Sequence, residues 1–406
     1  MLVYLDALLV TIQGILGLFL TVLGLYMLVL TVGAWRYRPR FPEGEGGELP
    51  RIGVLVPAHD EGAGIVGTVR DLLASDYPRD RFEVFVLADN CSDDTADHAR
   101  RAGATVVERR VPELRGKAHA LDWCLRERRE TLGRFDLLSF VDADMHVDRG
   151  YLRASAAAFR DPATTVVQAR YTMDNADDSF YAAMGFMSYA YVNHVRPAGR
   201  CHWGGSADLG GSGMTFRAPF ILERGWASRS LAEDLHFGKL LHLEGVRIVY
   251  VPAAIVTSRI PPHREQVAVQ QSRWEAGRNH TLGAVLRSTL RALVARPCWS
   301  HLDALLDLLT PSLSVVAALV GASFLLALVG FGSPLPVGIA VAGFGAAVLT
   351  GLIQLRAPAR LYGRIAFAPL FVIWKLTLLV RIRLLGGPDS WDRTPRARDG
   401  GAVERR

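Results

Sequence analysis

The chain has 406 residues, half of them apolar, with a net charge of +6 at pH 7 and four cysteines. That length admits about two or three packed units, and a charged fraction of 21% excludes a disordered chain. Cys91, Cys124, Cys201 and Cys298 form no CxxC pair, which excludes a disulfide scaffold and a zinc finger. The modest basic excess suits nucleic acid, anionic lipid or a phosphorylated substrate equally.

From Ala7 to Trp35 no residue is charged, a run of 29 positions, against about 20 needed to cross a bilayer. Arg36, Arg38 and Arg40 follow at once, while Met1–Asp6 carries no positive charge. This pattern predicts an uncleaved span over residues 1–35 with its following arginines in the cytoplasm, not a secretory signal. A second uncharged run covers Leu308–Leu355, 48 residues broken by Pro334 and Pro336. It predicts two spans within 308–356 joined by a tight turn. Ile365–Val380 is apolar but interrupted by Pro369 and Lys375. It predicts an interfacial or re-entrant helix over 361–385, with a fourth crossing as the alternative. Residues 386–406 form a basic tail on the cytoplasmic side.

Residues 50–260 alternate short apolar runs with helical patterns. IGVLVP precedes a helix near Ile65–Leu73, EVFVLAD precedes Asp93–Arg101, ATVVE precedes Ala118–Arg128, and DLLSFVDAD precedes a helix after Asp148. This βαβα rhythm predicts an α/β domain built on a mostly parallel, doubly wound sheet, with ligands beyond the carboxyl ends of its strands. Gly44–Gly47 reads as a linker into that domain.

Acids collect at those strand ends. The first strand runs into Pro57-Ala58-His59-Asp60-Glu61, the second ends in Asp89, and the fourth leads into Asp142-Ala143-Asp144. A desolvated carboxylate needs a partner, and Asp-x-Asp offers the hard oxygen ligands that Mg²⁺ or Mn²⁺ prefers. Aspartates that cap the next helix are the structural alternative. Further on, Ser230 and Glu233 match a capping box, and Asp234 suits a helix N-terminus. Gln270-Gln271-Ser272-Arg273-Trp274 opens a basic stretch with arginines at 278, 287, 291 and 296. By itself that stretch, 261–307, predicts amphipathic helices lying on anionic headgroups.

Gly62-Ala63-Gly64-Ile65-Val66-Gly67 is a literal GxGxxG with Asp89 in the place of a ribose-binding acid. Five residues nevertheless separate it from the strand, and Asp60 and Glu61 would repel a pyrophosphate. A nicotinamide dehydrogenase is therefore the least favoured reading.

Taken in order, Asp89, Asp142-Ala143-Asp144, Glu233-Asp234 and Gln270-x-x-Arg273-Trp274 resemble the membrane-embedded family 2 glycosyltransferases, which include cellulose, chitin and hyaluronan synthases and ceramide glucosyltransferase. The resemblance implies a GT-A-type, Rossmann-like cytoplasmic catalytic domain with transmembrane and interfacial helices. It implies that Pro57, Glu61, Asp89, Lys117, Asp142, Asp144 and Arg273 bind a UDP-sugar, with Asp142 and Asp144 also holding Mg²⁺ or Mn²⁺. Asp234 would be the general base. Gly211, Ser212, Glu233, Gln270 and Trp274 would meet the acceptor. Two departures stand out: Ala232 replaces the threonine of Thr-Glu-Asp, and the acceptor-side Phe-Phe-x-Gly-Ser is present only as Leu209-Gly210-Gly211-Ser212-Gly213. His146, close after the Asp-x-Asp, is an optional helper or a turn residue. His202, His236 and His242 have no cage spacing.

In-line attack at an anomeric carbon needs a base on one face and a neutralised diphosphate on the other. The sequence therefore predicts an inverting hexosyltransferase of the cell membrane that extends an extracellular or capsular polysaccharide. A lipid acceptor is the first alternative and a catalytically silent nucleotide or polysaccharide binder the second. The expected partners are a UDP-sugar, a polysaccharide or lipid acceptor and the bilayer, and no nucleic acid; an export partner or homo-oligomer stays open.

Overall fold

The computed structural model describes residues 2–41, 48–228, 230, 232–261 and 263–385. The linker Gly44–Gly47 and the tail after residue 385 lie outside the described residues.

Helix α1, Leu2–Arg36, is followed by β1 (Ile52–Ala58), α2 (Ile65–Leu73), β2 (Phe82–Asp89), α3 (Thr95–Ala102), β3 (Thr105–Arg109), α4 (Lys117–Glu127), the short α5 (Arg129–Leu132) and β4 (Leu137–Phe140). Each strand here is a short apolar run and each helix a run with apolar residues every three to four positions, the two periods that bury one face of each. β1 pairs in parallel with both β2 and β4, and β2 with β3. Ile52, Val54 and Val56 of β1 share a core with α2, Tyr151 and Leu152 while Leu55 faces the opposite core, so both faces of the strand are covered.

The second half of the domain departs from the parallel expectation. After β5 (His146–Val147) and α6 (Tyr151–Ala158) come β6 (Val166–Met173), α7 (Phe180–Ala190), α8 (Arg196–His202), β7 (Met214–Arg217), α9 (Ala218–Arg224), α10 (Glu233–Leu243) and β8 (Ile248–Ser258). The strands form one mixed sheet in the order β3-β2-β1-β4-β7-β6-β8-β5. β7 runs antiparallel to β4 and β6, which reverses the chain next to the Asp142–Asp144 turn. The sequence masked this reversal because MTFR is too short to betray its direction.

The remaining helices are α11 (Arg264–Ala295), α12 (Trp299–Leu309), α13 (Leu313–Leu328), α14 (Leu335–Gln354), α15 (Ala359–Arg364) and α16 (Ala368–Leu385). Among the described residues three helical segments are long and apolar enough to cross a membrane: Asp6–Arg36, Leu335–Gln354 and Ala359–Leu384. α12 and α13 together make a further apolar pair, bent by 78°. The distribution differs from expectation. α13 has only 16 residues and leans on its bent partner, whereas α15 and α16 give a 26-residue segment with mean hydropathy 1.9. Pro369 lies inside that segment, directly after the 3-10 turn Ile365–Phe367, and the helix runs on through it. α1 lies along α14, tied by Trp35 Nε1 to Thr350 Oγ1 (2.9 Å) and Gln354 Nε2 to the Ala34 carbonyl (3.3 Å).

Candidate active site

The carboxyl ends of β1, β2 and β4 share one edge of the sheet, and that edge opens on a cleft of about 2760 Å³. Pro57, Glu61, Asp89, Lys117, Asp142, Asp144, Gly211, Glu233, Asp234, Gln270, Arg273 and Trp274 all line it. Ser212 does not. It is fully buried, and its hydroxyl accepts the Asp142 backbone N–H at 3.0 Å. The expected acceptor contact is therefore a brace beneath the Asp-x-Asp turn.

At the first end of the cleft Asp89 is buried, and Arg109 Nη1 holds one of its oxygens at 2.5 Å. Burial raises the Asp89 carboxyl above its usual range, and Arg109 opposes that rise. Arg109 was missed in the sequence; its only signal is an arginine closing the strand that neighbours Asp89. The Gly62–Gly67 segment has no free phosphate cradle. The Glu61 and Gly62 backbone N–H groups both donate to Thr95 Oγ1 at 2.8 Å.

In the middle, Lys117 Nζ donates to Asp142 Oδ1 and to the Gly211 carbonyl, each at 2.5 Å. Gln168 on β6 fixes the loop that supplies this carbonyl. Its Oε1 accepts the Gly210 N–H and its Nε2 donates to the Ser212 carbonyl, both at 2.9 Å. Gly211 has φ +84°, and a Cβ there would fall 2.8 Å from Asp234 Oδ2, so only glycine allows this approach.

Glu233 and Asp234 stand in the first turn of α10, aimed at the cleft by the start of that helix. The capping box expected from Ser230 and Glu233 does not form. The N-cap is Ala232, and Ser230 Oγ accepts the Ala232 N–H at 3.3 Å, too early in the turn to reach Glu233. Burial pushes the Glu233 carboxyl up to about 7, with Asp234 adding to the rise and Lys117 opposing it. Burial likewise lifts Asp234 and Asp142 above the ordinary carboxylate range, against Lys117 in both cases. Burial disfavours the Lys117 ammonium, yet Asp142 and Glu233 outweigh it and hold that group above its ordinary value. Arg273 lies lower than usual because it is buried, although Glu233, Asp142, Asp144 and Asp234 all favour its charge.

Four carboxylates, Asp142, Asp144, Glu233 and Asp234, thus face two cations, Lys117 and Arg273. The surplus of acids over cations and the hard oxygen donors of Asp142 and Asp144 fit a divalent ion.

The far wall belongs to α11. Gln270, Arg273 and Trp274 line the cleft, while Arg287, Arg291 and Arg296 are exposed, so one helix carries both a site and a basic outer face. Trp274 packs on Tyr189 of α7 at 5.8 Å between ring centres, and Tyr189 on Tyr171 at 5.4 Å. Gly277 presses α11 against Ala232, where a Cβ would fall 2.7 Å from the Ala232 nitrogen. Such contact leaves little room for a branched residue at 232 and accounts for the missing threonine. His146 is exposed and turns its Nδ1 toward Asp71 at 3.1 Å. A separate group, Asp60, Cys91 and Asp93, gathers at the rim, with Asp60 accepting from Ser92 and Asp93 from Thr95.

Below the site a buried ionic network joins the domain to the apolar helices. Lys239 of α10 meets Asp208 (2.6 Å) and Asp307; Arg200 meets Asp303 (2.9 Å), Asp208 and Asp307 (both 3.1 Å); Arg196 meets Asp208 (3.3 Å) and Asp307 (3.4 Å). Tyr26 of α1 donates to Asp303 Oδ1 at 2.8 Å. Three cations face three carboxylates, so the network closes on itself. Asp208 stands three residues before Gly211, and Lys239 five after Asp234.

A family profile described as glycosyltransferase like family 2 matches residues 50–277, more than half of the chain. The beta-monoglucosyldiacylglycerol synthase of Trichormus variabilis is 30% identical over 248 residues, 59% of this chain and 51% of that protein. The UDP-forming cellulose synthase catalytic subunit of Pseudomonas fluorescens is 27% identical over 260 residues, 60% of this chain and 33% of that protein. The chain thus spans about half or less of the length of these two relatives. Among solved structures, the mannosyltransferase PcManGT of Pyrobaculum calidifontis, in complex with GDP-Man and Mn²⁺, superposes with a TM-score of 0.50. At 18% identity it covers 91% of this chain and 99% of its own, a likeness of fold. With the profile spanning every strand of the sheet and the acids at its edge, the chain belongs to glycosyltransferase family 2 and has a GT-A fold.

Proposed function

We propose that the protein is an inverting glycosyltransferase that moves a hexose from a UDP-sugar to a hydroxyl of a membrane lipid at the cytoplasmic face. The observation that carries the lipid acceptor is the reach of the cleft. It continues from the carboxylates between α13, α14 and α16 and is lined there by Leu325 and Ile373, which are also 63% and 60% exposed on the outer surface. An apolar slot open to the bilayer admits an acyl chain, and a sugar polymer gains little from it. Three segments apolar enough to span, with Arg36, Arg38 and Arg40 after the first, support a multi-pass chain whose catalytic domain faces the cytoplasm.

In this reading Asp89 and the Pro57–Glu61 turn hold the nucleoside, while Lys117 and Arg273 face the diphosphate. Asp234 takes the proton of the acceptor hydroxyl as its oxygen bonds to the anomeric carbon. The bond from that carbon to the diphosphate oxygen breaks, and the electron pair leaves with the diphosphate, stabilised by Arg273 and Lys117. Asp142 and Asp144 would hold Mg²⁺ or Mn²⁺, which when bound neutralises charge on the diphosphate. The raised Glu233 and Asp234 carboxyls suit a base working near neutral pH.

A polysaccharide acceptor is the second reading, favoured by the aromatic floor of Trp274 and Tyr189, since ring faces suit the apolar face of a sugar. Full-length protein in nanodiscs with Mn²⁺ is incubated with radiolabelled UDP- and GDP-sugars. Label in the organic phase is the expected result. Label in a large, glycosidase-sensitive product would replace the lipid acceptor with a polymer, and release of label only from a GDP-sugar would replace the donor.

A further inference from the structure

The same cavity carries cations that the transfer step does not use. Arg278 follows Gly277, the residue that seats α11 against the turn bearing Glu233 and Asp234. Its Nη2 donates to the Thr310 carbonyl, at the break between α12 and α13. Among the described residues Arg278 forms no salt bridge, and burial holds its guanidinium below its ordinary value against the pull of Glu275. Lys375 enters from the apolar α16 and is almost completely buried. It pairs with Glu275 at 3.0 Å and donates to Gln271 Oε1. A lysine in an apolar spanning helix is costly and marks a functional position. Arg278, Lys375 and Glu275 all line the cavity, and since Arg196 and Lys239 on the same wall are balanced by Asp208 and Asp307, one positive charge is left over.

An apolar track starts beside these cations. Ser314, Ala317, Ala318, Gly321, Ala322 and Leu325 of α13 line the cavity in the 3–4 spacing of a single helix face. At about 1.5 Å per residue that face runs roughly 16 Å from Ser314, close to Thr310, to the exposed Leu325. Along the cavity the sequence of surfaces is therefore general-base turn, cation wall, apolar track. This is the order of hydroxyl, phosphate and acyl chain in an anionic lipid.

We propose that the acceptor is a phospholipid bearing a free hydroxyl, whose phosphate is held by Arg278 and Lys375 while its chain lies along α13. This rests on the lipid-acceptor reading above and deepens it. The phosphate is not the nucleophile, because an ionised phosphate oxygen needs no base, whereas Asp234 is placed to receive a hydroxyl proton. The donor's diphosphate is the other source of phosphate chemistry in the cavity, and the test separates the two.

Full-length protein in nanodiscs of zwitterionic phosphatidylcholine is supplied with the accepted sugar nucleotide and one of two short-chain acceptors. Dioctanoyl phosphatidylglycerol carries hydroxyl and phosphate; dioctanoylglycerol carries the hydroxyl alone. The expected KM for phosphatidylglycerol is about tenfold lower or better, the scale of one charge-assisted hydrogen bond. Arg278→Gln should raise that KM about tenfold with kcat and the Kd for UDP nearly unchanged, and Arg278→Lys should recover part of the loss. Equal KM values for the two acceptors in the wild type would overturn the phosphate site whatever the variants do. So would an Arg278→Gln protein that weakens UDP as much as acceptor, since the cations would then serve the donor. Glycosylation of neither lipid alongside a labelled polymer would instead refute the lipid acceptor itself.

Discussion

Replacing Gly211 by alanine tests whether the loop and the base helix meet as described. Gly211 has φ +84°, which costs an L-residue roughly 1–2 kcal/mol. The new Cβ would fall 2.8 Å from Asp234 Oδ2 and 3.7 Å from its Cγ, about half an ångström inside ordinary carbon–oxygen contact. Either Asp234 shifts away or the loop retreats and takes with it the carbonyl that receives Lys117. Misplacement by about 1 Å costs on the order of a hundredfold in rate, so a shift of half that size should lower kcat about tenfold. UDP affinity should hold where Asp234 is the group that moves, because Lys117 then keeps its place, and fall where the loop retreats. Gly210→Ala is the control, since its nearest neighbour is the Gln168 amide at 3.7 Å and its φ is not positive. The assay is transfer kinetics on both variants, with UDP titration and melting temperature. Equal rates for Gly211→Ala and Gly210→Ala would show that Asp234 does not abut this loop in the working enzyme.

Glu233→Gln should change the pH profile of stability. The carboxyl is raised to about 7, so the folded state keeps a proton that the unfolded chain releases, and the native protein loses stability as pH rises from about 4.5 to 7. The amide removes that loss, so the gain in melting temperature over wild type should grow between pH 5 and pH 8; a constant difference would contradict the raised carboxyl. Asp307→Asn should destabilise the protein by about 3–5 kcal/mol, because Arg196, Arg200 and Lys239 would then share only Asp208 and Asp303 as buried counter-charges. A melting temperature within about two degrees of wild type would refute that role.

What could be read from the chain follows its local physics. The helix at Ile65–Leu73 and the acids after β1, β2 and β4 were legible because periodicity and strand-end carboxylates are short-range signals. The Gln270–Trp274 segment read locally as a membrane anchor, and only its order among the other motifs pointed to the cleft that it lines. Ser212 read as an acceptor contact because sequence cannot tell a side chain facing a cleft from one beneath it. Arg109, Gln168 and the Lys375–Glu275 pair were invisible for a different reason. Their partners lie on other elements, in the last case 100 residues away, and no local pattern encodes such a pairing. The stretch after residue 355 kept two readings in the sequence, because Pro369 and Lys375 argue against a crossing while its length and apolarity argue for one.

The network of Arg196, Arg200 and Lys239 with Asp208, Asp303 and Asp307 also bears on how the protein is made. At synthesis speeds of about 5–20 residues per second, Asp303 emerges roughly 3–13 s after Lys239. Until then Asp208 alone answers three cations that the finished fold keeps almost dry. The ionic network of the domain is therefore complete only once α12, which carries Asp303 and Asp307, has been made. A fragment ending before Trp299 would keep Arg196, Arg200 and Lys239 with Asp208 alone. Completion of the cleft, which Asp307 also lines, is thereby tied to the late, apolar part of the chain.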